Sequence, residues 1–396
     1  MDELSVCLLK RLQLSSNSVA LALLYGYMIL SVFEGYISSA VGAISRYYIF
    51  AVIFILLFQR KNLSIVWSQV GIILWYILYL ASSLWAPASA AQQMNLYFMT
   101  VTSMSIFAII MIGGGFKKNE LYSLLFVYQI SSIVLGILGL FYSQDMGMGT
   151  RRVLMLFGNQ IDPNNLVALY AVGTGLSACD LAYKRKHVLI SAIGLVTNVY
   201  CILMSGSRSG IVILAVQVLI VCFLQGEHQN IKTRIYKITG LLILFFVVAY
   251  FAFQFIPEAV LDRILGRGNL EFLDATGRET RWKQAIELWL NEGFLFGCGW
   301  GTFEAHNTFF TMLVDVGLVG TLIFLSVLGY IGIKGLLQRS PTAIMVLLTG
   351  IIPGFFIGAQ NKRFFWNGII FAAMLVSNSS QIRAYSIERL ERKIRD

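Results

Sequence analysis

Apolar positions along this chain gather in long runs separated by short polar connections, and the runs are of the length a helix needs in lipid. Crossing the hydrocarbon core takes roughly 17–25 predominantly apolar residues. About twelve such stretches follow one another: near 18–33, 37–58, 66–85, 94–113, 121–141, 164–181, 188–204, 209–225, 238–255, 309–333, 343–357 and 364–376. The pattern predicts an all-α, polytopic membrane protein. With no repeat period in view, the whole chain, 1–396, reads as a single membrane domain. Between the ninth and tenth stretches lies one long connection, 257–305, with a helical period of its own. Trp282, Ala285, Ile286, Trp289 and Leu290 recur at helical spacing, and Thr276 and Glu279 have capping-box spacing. An amphipathic helix lying on the outer membrane interface, Trp rings at headgroup depth, is the expectation.

Composition agrees with lipid as the solvent. The chain is 57% hydrophobic and 13% charged, where soluble domains carry about a quarter charged residues. Its mean hydropathy is +0.74. The five Cys show no CxxC and no Cys/His ligand spacing, which speaks against a disulfide framework or a zinc site. Lys10 and Arg11 precede the first apolar run, but no small-residue cleavage site follows, so that run reads as a span and not a signal peptide.

Charge placement gives the orientation, because loops rich in Lys and Arg stay cytoplasmic. An even span count puts both termini on one side. With that side inside, Lys10, Arg11, Arg60, Lys61, Lys117, Lys118, Lys184–Lys186, Lys334 and the basic tail are all cytoplasmic. Topology then accounts for much of the net charge of +10, and no nucleic-acid partner is needed. The informative cations are those left outside: Arg151, Arg152, Arg208, Arg263, Arg267, Arg278, Arg281, Lys283, Lys362 and Arg363. Most are Arg, the side chain suited to bidentate capture of phosphate. Contact with lipid headgroups is the plainer account of any one of them taken alone.

Three segments concentrate candidate chemistry. Between the fifth and sixth spans, Arg151 and Arg152 precede Asp162-Pro163-Asn164-Asn165, a turn signal that opens a helix whose N-terminus attracts anions. A capped loop would look the same. Between the seventh and eighth spans, Ser205-Gly-Ser-Arg-Ser-Gly210 holds Arg208 at a helix start, with Ser207 and Ser209 as capping or ligand hydroxyls; a Gly/Ser helix-packing turn is the alternative. The long loop supplies Arg278 and Arg281, then a Gly-rich turn from Gly297, then Ala305-His306-Asn307-Thr308. A neutral imidazole at the mouth of a span could take a proton from a sugar hydroxyl, although a lone His is more often a hydrogen-bonding cap. Arg46 and Asp315 fall inside spans; Asp315 reads as structural or cavity-lining, and Arg46 as the mark of a shorter second span with Glu34 as its loop partner. Asp162 and Glu304 are reserve candidates for a base or metal contact, and no His/Asp/Glu cluster has metal-ligand spacing.

Taken together, the Gly-Ser-Arg-Ser-Gly turn, Arg278-Glu-Thr-Arg281-Trp282-Lys-Gln-Ala285, and Gly297-x-Gly-x-Gly-Thr-Phe leading into His306-Asn-Thr-Phe resemble the O-antigen ligase and polymerase superfamily. The likeness covers about Phe157 to Gly320; elsewhere it is hydropathy alone. It implies an inverting, metal-independent and cofactor-free glycosyltransferase of a bacterial plasma (inner) membrane, working on the outer face with undecaprenyl-pyrophosphate-linked glycan as donor. By motif position, Arg208 and Arg281 would bind the pyrophosphate and His306 would serve the acceptor hydroxyl. Arg151, Arg152, Arg278, Asn164, Ser207, Ser209 and Asn307 are candidate substrate contacts. A polymerase is the first expectation, a ligase delivering glycan to lipid A core or another acceptor the second. A transporter or flippase for lipid-linked sugars is the non-enzymatic alternative; its usual paired broken helices lie near the midplane, whereas the polar signatures here sit at span ends.

Overall fold

A computed structural model describes residues 19–37, 44–59, 64–146, 151–184, 186–224, 256–265 and 277–377, with Gly42 and scattered positions between 232 and 254. Both chain ends, the Arg46 side chain, Arg267, Thr276 and most of the ninth predicted span lie outside the described residues, as does much of the basic set used to orient the chain. The described part is all-helical except for one small sheet.

Among the described residues, five helices are long and apolar enough to cross a membrane: Val19–Ile37 (α1), Ala88–Gly113 (its regular part Ala91–Gly113 is α4), Lys118–Tyr142 (α5), Pro163–Tyr183 (Pro163–Cys179 is α6) and Thr308–Leu337 (α11). Six shorter apolar helices accompany them, in Ile44–Gln59 (α2), Trp67–Ser82 (α3), Val188–Met204 (α7), Arg208–Phe223 (α8), Pro341–Ile351 (α12) and Arg363–Ser377 (α13). Two more helices lie in the long connection, Glu258–Leu265 (α9) and Arg278–Glu292 (α10). Eleven of the apolar runs overlap a described helix, the second of them starting at Ile44, seven residues later than the run predicts; the ninth run, 238–255, lies mostly outside the described residues.

Burial ranks the helices. In the most apolar stretch of Pro163–Tyr183, 89% of positions are inside the bundle, against 39% for Thr308–Leu337, so α6 is the central post and α11 a wall. The sequence of α6 explains this: Ala, Gly, Ser and Thr line all its faces, so α5, α7, α8 and α12 can all approach it. α13 is the second post, buried from Arg363 to Val376, with Trp366 against Trp75 and Phe324. Large apolar side chains such as Phe54, Phe58, Ile77, Leu189, Phe223, Ile333 and Leu337 face outward. A soluble protein rarely exposes apolar surface on this scale; on helices of this length it is the lipid-facing surface of a membrane protein.

The connection between α5 and α6, expected as a capped loop, is a β-meander: β1 Ser143–Asp145, β2 Arg152–Leu156 and β3 Asn159–Gln160, all antiparallel. Its second turn needs two left-handed residues, Phe157 at φ 53° and Gly158 at φ 74°, the demand of a two-residue hairpin turn. Such short strands carry too little periodicity to be read from sequence. The sheet is anchored where the Tyr36 hydroxyl, at the end of α1, donates to the Leu154 carbonyl at 3.0 Å.

Candidate active site

At one end of the bundle the short connections converge, and two polar groups form there. The first is a gathering of guanidiniums. Arg208 sits at the start of α8 because the turn before it is locked: buried Ser207 donates to Asn164 Oδ1 at 2.7 Å and lies 2.7 Å from the Ser209 hydroxyl. Asn164 in turn is in the first turn of α6, whose N-cap is Asp162, accepting from the Asn164 and Asn165 backbone N–H groups at 2.9 and 3.3 Å. From that turn, Arg208 Nε donates to the Arg263 carbonyl in the last turn of α9 at 3.2 Å, where helix dipole and open carbonyls favour a cation.

Arg151, Arg208, Arg263 and Arg278 are close enough to influence one another's charge. Burial, then the neighbouring Arg263, Arg278 and Arg208, outweigh the opposing effect of Asp162 and push Arg151 down to about 10. Burial and the same neighbours also lower Arg263. Arg278 is lowered by burial first and by Arg208, with Asp162 opposing. Two like charges ~6 Å apart at an effective dielectric of about 20 repel by roughly 3 kcal/mol, and the carboxylate that opposes these shifts among the described residues, Asp162, is already committed to capping α6. The Nε of Arg151 is buried and has no hydrogen-bond partner among the described residues.

The second group surrounds Glu304. Its Oε2 accepts from Gln93 Nε2 at 2.9 Å and the Tyr97 hydroxyl at 3.2 Å, both on α4. Its Oε1 lies 3.6 Å from His306 Nδ1. Arg281 donates from Nη1 to the Glu304 carbonyl at 3.3 Å. His306 holds φ 51°, a left-handed conformation in which His is over-represented among non-glycine residues and which often marks a functional position. Asn307 follows as the N-cap of α11, accepting from Phe309 and Phe310 backbone N–H groups at 2.9 and 3.2 Å while its amide donates to the Phe355 carbonyl at 3.0 Å.

The loop carrying this group is set by a break in α11. Gly317 leaves helical geometry at φ 65°, ψ −165°, and residues 294–298 fill the gap: Leu318 and Val319 N–H groups donate to the Phe294 and Leu295 carbonyls at 2.9 and 3.1 Å, and Cys298 N–H donates to Val314 at 2.6 Å. Gly297 and Gly317 cross so closely that a Cβ on either would collide with the other strand's backbone. Asp315, at the break, accepts from the Tyr79 hydroxyl at 2.7 Å and the Gly301 N–H at 3.0 Å, which ties the break to α3 and to the glycine loop.

The expected residues therefore divide. Arg208 stands with Arg151, Arg263 and Arg278; Arg281 and His306 stand together around Glu304. The helix α10 joins the groups, since Arg278 and Arg281 are one turn apart on it, about 4.5 Å by helical rise. Arg152 is set apart: adjacent residues of an extended strand project to opposite faces, so with Arg151 turned inward Arg152 is exposed opposite Asp145. Asn164, Ser207, Ser209 and Asn307, expected as substrate contacts, are buried and hydrogen-bonded within the protein. The N-cap of α10 is Gly277 at φ 63°, one residue after the expected Thr276, and Glu279 pairs instead with Lys283 at 2.9 Å. The inner face of α10 is Trp282, Ala285, Leu288 and Trp289; Leu290 is exposed. Glu34, expected beside Arg46, is ion-paired with Arg363 at 2.8 Å. Among the described residues no group of three or more His, Cys, Asp and Glu is placed to hold a metal ion.

Arg208, the first turns of α10, the glycine loop and His306 thus occupy one stretch of chain, which can be compared with known families as a unit. Residues 193–325 match the O-antigen ligase family. The match covers roughly a third of the chain, runs from α7 into α11, and supports the superfamily that the motifs resemble. Arg208, Arg263, Arg278, Arg281, Glu304 and His306 lie within the O-antigen ligase match, while Arg151 and the α6 cap lie before it. Members of this family are glycosyltransferase-like enzymes acting on lipid-linked glycans. No curated protein matches the chain.

Proposed function

We propose that this chain is a membrane glycosyltransferase that joins glycan units carried on undecaprenyl pyrophosphate at the outer face of a bacterial plasma membrane, a polysaccharide or O-antigen polymerase. The observation that carries the reading is the group of Arg151, Arg208, Arg263 and Arg278, half-buried, with Arg151, Arg263 and Arg278 lowered in pKa by burial and by their neighbours. Clustered guanidiniums that depress one another gain when an anion joins them, and a pyrophosphate offers the acceptor oxygens they match. In this account about twelve spans make one membrane domain, both termini are cytoplasmic, and the 257–305 connection lies outside.

In the proposed reaction an acceptor hydroxyl attacks the anomeric carbon from the face opposite the leaving group, with inversion. The new glycosidic C–O bond forms as the bond from the anomeric carbon to the pyrophosphate oxygen breaks. The electron pair leaves with undecaprenyl pyrophosphate, whose growing charge the arginines stabilise in place, as preorganised donors do. His306 takes the hydroxyl proton, Glu304 orienting the ring and steadying the imidazolium. Arg281, joined to the Glu304 carbonyl, closes the pyrophosphate site from the side of the base.

A transporter would use the same arginines differently. In cells whose surface polysaccharide depends on this chain, Arg281→Ala or His306→Ala at normal protein level should abolish the long glycan and leave single lipid-linked units accumulating on the outer face. Units trapped on the inner face would favour a flippase, and full-length glycan in both variants would remove the catalytic assignment.

A further inference from the structure

A cavity of about 470 Å³ lies where the end of α1, the first half of α4, the start of α6 and the start of α13 meet. Its size is within the roughly 300–1,000 Å³ range of small-molecule sites. For a hollow between apolar helices its lining is unusually polar: Glu34, Thr100, Asn165, Asn361, Lys362 and Arg363 all contribute. Arg363 is 3% exposed and holds Glu34 at 2.8 Å through Nε, yet its Nη1 has no hydrogen-bond partner among the described residues. The same is true of the buried side-chain oxygens of Asn165 and Asn361.

Unmade hydrogen bonds of both senses, donor and acceptor, specify a ligand that offers both. A phosphate brings acceptors only and would face the Glu34 carboxylate and two amide oxygens. An isoprenoid tail brings neither. A sugar ring brings hydroxyls that donate and accept. Two lining residues connect the cavity to the groups of the active site: the Asn165 N–H donates to Asp162 Oδ1 at 3.3 Å, and burial lowers Lys362 while the charges of Glu34, Glu304 and Asp162 oppose that shift, so Lys362 stands in the field of the carboxylate beside His306 and of the one that caps α6. The backbone at Gly358, four residues before Lys362, approaches Glu304 directly.

Resting on the glycosyl-transfer reading, we infer that the cavity between α1, α4, α6 and α13 is a sugar subsite for the acceptor glycan, with Asn165, Asn361, Lys362 and Arg363 bonding its hydroxyls. It holds the acceptor so that one hydroxyl reaches Glu304 and His306 while the arginines hold the donor.

The test uses the full chain in detergent and two probes, undecaprenyl pyrophosphate without sugar and the same lipid carrying the repeat unit extracted from cells that need this chain. Asn361→Leu and Lys362→Met should each weaken binding of the glycosylated lipid about tenfold, which is ~1.4 kcal/mol, and leave the sugar-free lipid unchanged. Acceptor KM should rise with kcat nearly constant. Arg278→Ala should weaken both lipids, and unchanged thermal midpoints for Asn361→Leu and Lys362→Met show that the fold is intact. Equal weakening of both lipids by the cavity variants would make the cavity a phosphate site, and no weakening of either would remove it as a binding site; each overturns the inference alone. A wild-type protein that binds neither lipid would overturn the glycosyl-transfer reading and the subsite with it.

Discussion

Arg151 shows what a guanidinium gives up when it is buried among its own kind. An ordinary arginine stays charged at any accessible pH, but here burial and three neighbouring cations bring the group down to about 10. Its charge is therefore complete near neutrality and fades as pH climbs towards that value. Affinity for inorganic pyrophosphate, followed by calorimetry, should be flat from about pH 7 to about pH 9 and fall above it. In Arg151→Lys the same curve should start lower, because an ammonium lacks the planar fork. A curve that falls in the histidine range instead would show that the anion is held elsewhere. At this scale the sequence was partly legible. Arg208 and His306 stand out because each sits in a short motif at a span end, where few residues compete for attention. Arg263 and Glu304 do not, since each becomes informative only through a neighbour distant in sequence: Arg208 through the Arg263 carbonyl, Gln93 and Tyr97 through the Glu304 carboxylate. Arg152, expected beside Arg151 from sequence, is exposed opposite Asp145 on β1.

Among the elements, the broken helix α11 carries the most consequence. Its hydropathy is that of an uninterrupted span, so the sequence shows its length and hides its break; the clue is the pair of glycines, Gly297 and Gly317, at positions where L-residues are excluded by φ and by backbone contact. Gly317→Ala should lower stability by about 2–4 kcal/mol, read as a loss of thermal midpoint in detergent, whereas Gly329→Ala, later in the same helix with open space around it, should leave the midpoint unchanged or raise it. Equal effects would mean that α11 is continuous. The tie between α1 and α13 gives a second check. Arg363 is buried and Glu34 partly exposed, so losing Arg363 strands a carboxylate at the cavity wall and costs less than the about 3–5 kcal/mol of a fully buried pair. Arg363→Met should therefore destabilise more than the double change with Glu34→Gln, and additive losses would show that the two do not interact. Helices α3 to α8 were legible because their apolar runs end at charges, Gly or Pro; the β-meander was not, because its three strands are too short for any period to emerge.

For the molecule as a whole, the distribution of polarity is the decisive fact. The outward faces of the helices are apolar, the interior carries small residues, and arginines, glutamates, the histidine and a polar cavity collect at one end of the bundle. That arrangement suits a reaction whose substrates are lipid-anchored and whose reacting atoms lie at the membrane surface. The most direct measurement is transfer by the purified full-length protein given a short lipid-linked oligosaccharide and read on a gel. The wild-type protein should give a ladder. Arg278→Ala should reduce it about 10²–10³-fold, as loss of one transition-state donor does, and His306→Asn, which tolerates the left-handed backbone, about 10²–10⁴-fold, while Arg152→Ala leaves it intact. Transfer to a different acceptor in place of a ladder would make the chain a ligase with the same site. No transfer by the wild-type protein, or a ladder indifferent to Arg278 and His306, would contradict the account.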